Sequence, residues 1–172
     1  MDEEKSPSES KCVKTEIVLP SDTNPLGNLF GGRLMEWIDI AGSIAAQRHS
    51  GRVTVTAAIN HISFSVPIKV NSIVTLEAQV SRSFGTSMEV IIDVYVENTV
   101  TGKRTKCNEA IATYVAIDQN GTPLPVPKVV PKTELEKKRY DAALRRRQLS
   151  LILSGRLKPD DATELKSLFV KE

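Results

Sequence analysis

One segment constrains this chain more than any other: residues 32–50, GRLMEWIDIAGSIAAQRHS, patterned as a helix with almost no polar surface. Leu34, Ile38, Ala41 and Ala45 recur at i, i+4, i+7 and i+11, and Gly51 supplies a stop. Its polar residues Arg33, Glu36, Asp39, Ser43 and Gln47 occupy a narrow arc. A helix so short of polar surface has to be covered by other elements.

The covering follows it in the chain. Val74, Leu76, Ala78 and Val80 alternate with Thr75, Glu77, Gln79 and Ser81, and Met88, Val90, Ile92, Val94 and Val96 alternate with Glu89, Asp93 and Glu97. Both patterns predict half-buried strands, joined by the hairpin turn Ser-Phe-Gly-Thr. Residues 110–117, AIATYVAI, are apolar on both faces and suit a central strand. In residues 53–66 the apolar parity slips at Asn60-His61, which predicts a β-bulge. Residues 13–19 read as a first strand ending at Pro20, and 21–32 as a turn-rich loop. PLPVPKVVP (123–131) is an extended, proline-punctuated crossing, with a charged helix over 133–149 and a shorter one over 160–170. One apolar helix followed by a long antiparallel meander predicts an α+β hot-dog fold: a curved antiparallel sheet wrapped around one long central helix, with extra C-terminal helices. Open sheet edges and an uncovered helix end predict side-by-side dimers at least.

At 172 residues, 40% hydrophobic and 26% charged, the chain suits one soluble domain with appendages. The expected division is a disordered tail at 1–12, a hot-dog domain at 13–131 and a helical extension at 132–172. No apolar run is long enough to span a bilayer, and the acidic start MDEEKSPSES resembles no secretory or mitochondrial signal. Two cysteines, Cys12 and Cys107, are too few for a disulfide framework and read as reduced thiols, which suits a cytoplasmic protein. Residues 128–156 carry nine Lys/Arg against three Asp/Glu, so the rest of the +2 chain is net negative. That argues against a nucleic-acid surface on the body and leaves an anionic ligand to a few placed cations and backbone amides. The RRR at 145–147 reads as a solvated face.

Several chemistries lack their residues. Two His and two Cys without ligand spacing make no zinc site, and no metal is expected. There is no G-x-S-x-G elbow and no G-x-G-x-x-G. Gly27 and Gly32 match the glycine spacing of a phosphate loop, but Arg33-Leu34 stand where Lys and Ser/Thr are required. What remains is Asn24, Gly31, Gly32 and Asp39. A glycine pair opening a helix leaves N–H groups at the positive end of the dipole, able to stabilise an oxyanion. An Asp two turns further can take a proton from water, and Asn24 can orient that water or the substrate. Plainer roles stand beside these: Gly31-Gly32 as a tight helix start, Asn24 as a turn residue before Pro25, Asp39 as a solvated carboxylate.

The joint pattern DTNPLGNLFGGRLMEWIDIAG (22–42), with VTAAINHISFSVPIKVNSIV (55–74), SRSFGTSMEV (81–90) and ATYVAIDQNGTPLPVP (112–127), resembles the acyl-CoA thioesterase family of hot-dog proteins. That group includes brain-type cytosolic acyl-CoA hydrolases and small bacterial relatives. The resemblance implies hydrolysis of acyl-CoA to CoA and a free acid, with no cofactor beyond the CoA of the substrate. It implies Asn24 and Asp39 as the catalytic pair, from different protomers of a homo-oligomer that is a dimer at least and fits a trimer of dimers. Gly31 and Gly32 would receive the thioester oxygen, and Thr56 resembles a supporting polar residue. Arg82, Gly85, Thr86 and Ser87 resemble the hairpin lining the CoA channel, though Arg82 also reads as a solvated edge charge. Asp39 would serve as general base or as attacking carboxylate. A binding module that senses acyl-CoA without cleaving it is the alternative function, and such a module has no need of Asp39. A hot-dog hydratase or dehydratase would pair a His with an acid, and neither His49 nor His61 is well placed for that.

Overall fold

A computed structural model describes residues 3–62 and 66–169. Residues 63–65 of the expected strand, 170 of the expected last helix, and the first two residues of the expected tail lie outside the described residues. The elements run β1 (Glu4–Lys5), a 3-10 turn (Pro7–Ser10), β2 (Cys12–Ile17), α1 (Gly31–Ser50), β3 (Val53–Ile62), β4 (Ile73–Phe84), β5 (Ser87–Glu97), β6 (Arg104–Ile117), β7 (Lys128–Val129), α2 (Glu134–Leu153) and α3 (Thr163–Lys166).

β2 to β6 form one antiparallel sheet in the order β2-β4-β5-β6-β3, and it is wrapped around α1 as a hot-dog fold. Period-two alternation puts Val74, Leu76, Ala78 and Val80, then Met88, Val90, Ile92 and Val94, fully out of solvent in the core with Leu34, Ile38, Ala41 and Ala45 of α1. β6 contributes Ala110, Ala112 and Ala116 there, small residues that allow a helix to lie close. α1 stops at Gly51, whose φ of +63° and N–H bond to Gln47 O (2.8 Å) form a left-handed cap. The expected bulge is present as a register shift between Ile59 and His61, and a second shift lies between Thr56 and Ala58.

One side of this domain remains uncovered. β3 is an edge strand with Val53 and Val55 exposed, and Phe30, Met35 and Ile40 of the α1 region are exposed as well.

Two expectations are corrected. Residues 3–12, read as disordered tail, are packed: Pro7 and Ser10 are fully buried. Ser10 Oγ donates to Pro7 O (2.6 Å) and accepts from Val80 N (2.9 Å), while β1 pairs in parallel with β7. The polar composition of this segment is matched by partners elsewhere in the fold, including Lys5 Nζ donating to His49 O (3.0 Å). Nor is the RRR run at 145–147 only a solvated face: Arg146 reaches a buried carboxylate and Arg147 lies over the Phe84 ring. α2 lies across the outer face of the sheet and brings arginines to buried carboxylates. Arg139 meets Asp93 (2.6 Å), and Arg146 holds Glu89 bidentately (2.9 and 2.7 Å). Burial pushes the Asp93 carboxyl up, but Lys106 and Arg139 together hold it below its usual value.

Candidate active site

The loop before α1 is tied together by Asp22. Its carboxylate accepts from Leu19 N (3.0 Å) and pairs with Arg33 Nε (2.9 Å), and its carbonyl accepts from Phe30 N (2.8 Å). Asn24 folds the turn itself, its Oδ1 accepting from Leu26 N (3.0 Å) and Asn28 N (3.2 Å). The turn role is therefore real, and it spends the acceptor. The amide nitrogen makes no hydrogen bond among the described residues, which leaves two N–H donors.

Phe30 is the N-cap of α1 and supplies no capping side chain. The amides of Arg33 and Leu34 bond back to Phe30 O, whereas those of Gly31 and Gly32 have no partner among the described residues. Their N–H groups stay available at the positive end of a 20-residue helix. The Phe30 ring, 59% exposed, lies over Gly32, where a Cβ would come within 2.9 Å of it. A cleft of about 320 Å³ opens here, lined by Ser21, Asp22, Thr23, Phe30, Arg33 and Glu36.

Two turns along, Asp39 is half-buried. Thr56 Oγ1 donates to Asp39 Oδ1 at 2.6 Å. Tyr114 OH lies 3.2 Å from the same Oδ1 and 3.2 Å from the Asp39 main-chain oxygen. Tyr114 and Thr56 are cross-strand partners on β6 and β3, so the sheet presents both hydroxyls to the helix together. Burial, and then the charge of Asp39, push the Tyr114 phenol far up, so it stays a donor. Sequence reasoning missed Tyr114, although one Tyr inside an otherwise apolar central strand is a signal, because a buried phenol needs a partner. It also missed Gly42, where a Cβ would stand 2.3 Å from the Tyr114 oxygen.

The hairpin after β4 has Gly85 at a φ of +74°, with Val126 N donating to its carbonyl (2.9 Å). Thr86 O accepts from Ala116 N (3.1 Å), and Ser87 is buried opposite Val115, one residue from the Met88–Tyr114 pair. Arg82 is not a solvated edge charge. Its Nη1 donates to Tyr140 O (3.0 Å), and its guanidinium stacks on the Tyr140 ring (3.9 Å), tying the hairpin to α2. His49 is buried with Nε2 2.9 Å from Pro127 O, and burial lowers its basicity; it faces the C-terminal crossing. No cluster of three or more potential metal ligands occurs among the described residues.

One protomer thus joins Asp39 with Thr56 but does not bring Asn24 or the glycine amides to them. From Gly31 to Asp39 the helix rises ~12 Å. A base must lie within hydrogen-bond reach of the water attacking the carbonyl that the amides hold. Asp39 and the start of its own helix cannot serve one carbonyl.

Residues 26–103 match the Thioesterase superfamily. The uncharacterized acyl-CoA thioester hydrolase YkhA of Bacillus subtilis is 46% identical over 138 residues, 80% of each chain. Among solved structures, an acyl-CoA hydrolase of Staphylococcus aureus, in complex with butyryl coenzyme A, coenzyme A and coenzyme A disulfide, superposes with a TM-score of 0.83 at 38% identity over 88% of this chain and 94% of that one. The same hydrolase has been solved with an asparagine, an aspartate and a threonine each replaced by alanine, spaced 15 and 17 residues apart. A hexameric acyl-CoA thioesterase matches with a TM-score of 0.81 at 39% identity, covering 84% of this chain and 93% of that one. With a relative this close over most of both chains, and with the hot-dog sheet and helix in place, this chain belongs to the thioesterase superfamily, among its acyl-CoA thioester hydrolases.

Proposed function

We propose that the protein hydrolyses acyl-CoA thioesters to CoA and a carboxylic acid, in a site shared by two protomers. The observation that carries this reading is the Asp39–Thr56 pair at 2.6 Å on the open side of the domain. It is supported by spacing: Asn24, Asp39 and Thr56 stand 15 and 17 residues apart, as do the three residues replaced in the S. aureus hydrolase.

In this reading the thioester oxygen sits on the Gly31 and Gly32 amides of one protomer, with Asn24 of that protomer donating to the substrate or the attacking water. Asp39 of the other protomer takes a proton as water adds to the carbonyl carbon. The oxyanion then collapses, the C–S bond breaks, and the departing CoA thiolate recovers the proton from Asp39. The step balances without a cofactor. Gly85, Thr86 and Ser87 line the approach of the CoA arm. Arg82 keeps N–H donors beyond the one on Tyr140 and reaches a CoA phosphate from the hairpin flank.

The assembly is a homo-oligomer, with β3 edges paired in a dimer and three dimers to a hexamer. No helix among the described residues is long and apolar enough to cross a membrane, and we place the protein in the cytoplasm. The test is a thiol-release assay across acyl-CoA lengths on the wild-type protein and Asp39→Ala. Wild type should release CoA, and Asp39→Ala should fold normally and turn over orders of magnitude more slowly. Tight acyl-CoA binding with no release by the wild type would overturn hydrolysis, and unchanged kinetics in the variant would overturn the assignment of Asp39.

A further inference from the structure

We propose that Tyr114 is a positioning residue that fixes the Asp39 carboxylate through Oδ1 and leaves Oδ2 as its one reacting oxygen. The inference rests on the reading that Asp39 activates water. Its first support is the convergence of two hydroxyls on one oxygen: Thr56 Oγ1 at 2.6 Å and Tyr114 OH at 3.2 Å both reach Oδ1. Oδ2 accepts no hydrogen bond from the described residues. A carboxylate on a helix surface swings about its side-chain torsions. Held by two donors from a rigid sheet, it presents one oxygen in one orientation.

The second support is independent and comes from the backbone. Tyr114 also shares its hydroxyl with the Asp39 carbonyl (3.2 Å), so it registers the helix and the carboxylate together. That approach needs a gap in the helix surface three residues beyond Asp39, and Gly42 provides it. A Cβ there would meet the Tyr114 oxygen at 2.3 Å and its Cζ at 2.8 Å. Glycine inside a helix costs about 1 kcal/mol relative to alanine, and the φ of Gly42 is not positive, so conformation does not call for it. The phenol's reach is what the glycine serves. Because the phenol is fully buried beside an acid, it remains protonated and acts as a donor.

A purely structural tyrosine would satisfy its hydroxyl on the helix carbonyl and have no bearing on turnover. The two roles separate in Tyr114→Phe, which keeps the ring and removes the donor, and in Gly42→Ala, which keeps the donor and displaces it. Both are assayed for CoA release per folded protein beside wild type and Asp39→Ala, with thermal melting recorded. The positioning role predicts a fall in kcat of about 10- to 100-fold in each variant, with KM within roughly twofold. For Tyr114→Phe the melting temperature should fall by only a few degrees. Tyr114→Phe turning over within about twofold of wild type while Asp39→Ala is inactive would overturn the inference and leave the hydrolase reading intact. A fully active Asp39→Ala would overturn the reading beneath it.

Discussion

The docking of α2 yields a quantitative prediction, because half-buried guanidinium groups on its sheet-facing side pair with buried carboxylates. Glu89 is 4% exposed and holds Arg146 through two bonds at 2.7 and 2.9 Å, with Ser81 Oγ donating to Oε1 at 2.6 Å. The Arg146 side chain is 31% exposed. Removing the arginine therefore strands a carboxylate in the interior, whereas neutralising the acid leaves an arginine that can turn to water. Arg146→Ala should cost about 2–4 kcal/mol and Glu89→Gln about 1 kcal/mol. For a chain of this size the first corresponds to a drop in Tm of roughly 5–15 °C. The double variant should recover more than half of the loss, since the uncompensated charge is gone. The assay is urea denaturation followed by circular dichroism at one fixed protomer concentration, because oligomer stability depends on it. Equal losses for the two single variants, or a double variant that is worse than Arg146→Ala, would refute the claim that a stranded charge sets the cost.

Two further outcomes follow from named bonds. Thr56→Ala removes the 2.6 Å bond to Asp39 and should lower kcat about tenfold with KM nearly unchanged, measured by steady-state CoA release. Burial holds the His49 imidazole below its ordinary value of 6.5, so the unfolded chain binds this proton more tightly than the folded one. The stability tied to neutral His49 is fully present above that ordinary value and is lost as pH falls below it, towards the depressed folded value. Denaturation midpoints should drop between about pH 7.5 and about pH 5.5, and drop less in His49→Gln.

The sheet and its helix were legible because the periods are clean. Met88, Val90, Ile92 and Val94 keep an apolar period of two, α1 carries its apolar face at helical spacing, and the parity slip at Asn60-His61 marked a real register shift. The site was legible only in part. A glycine pair with an Asp two turns on can be read from a string, but that Thr56 and Tyr114 stand side by side depends on the pairing of β3 with β6, which local sequence does not encode. α2 was misread for a different reason. Its sheet-facing stripe is Arg139, Tyr140, Ala143, Arg146 and Arg147, half-buried except for the fully buried Ala143, so the periodicity is present in residues that usually face water. The partners that make it buriable, Asp93 and Glu89, had been assigned to the wet side of a half-buried strand. The N-terminal segment failed similarly: nothing in SPSES announces that Ser10 will cap Val80 seventy residues away.

The central claim is that one protomer supplies Asn24 and the helix-start amides while another supplies Asp39. It is tested by mixing two inactive proteins, Asn24→Ala and Asp39→Ala, through co-expression or through unfolding and refolding together. In a twofold dimer, each mixed pair rebuilds one intact site and leaves one doubly altered. Random mixing should therefore restore about a quarter of wild-type CoA release. Activity that stays at the level of the two separate variants, in a mixture shown by mass to contain mixed dimers, would contradict the shared site.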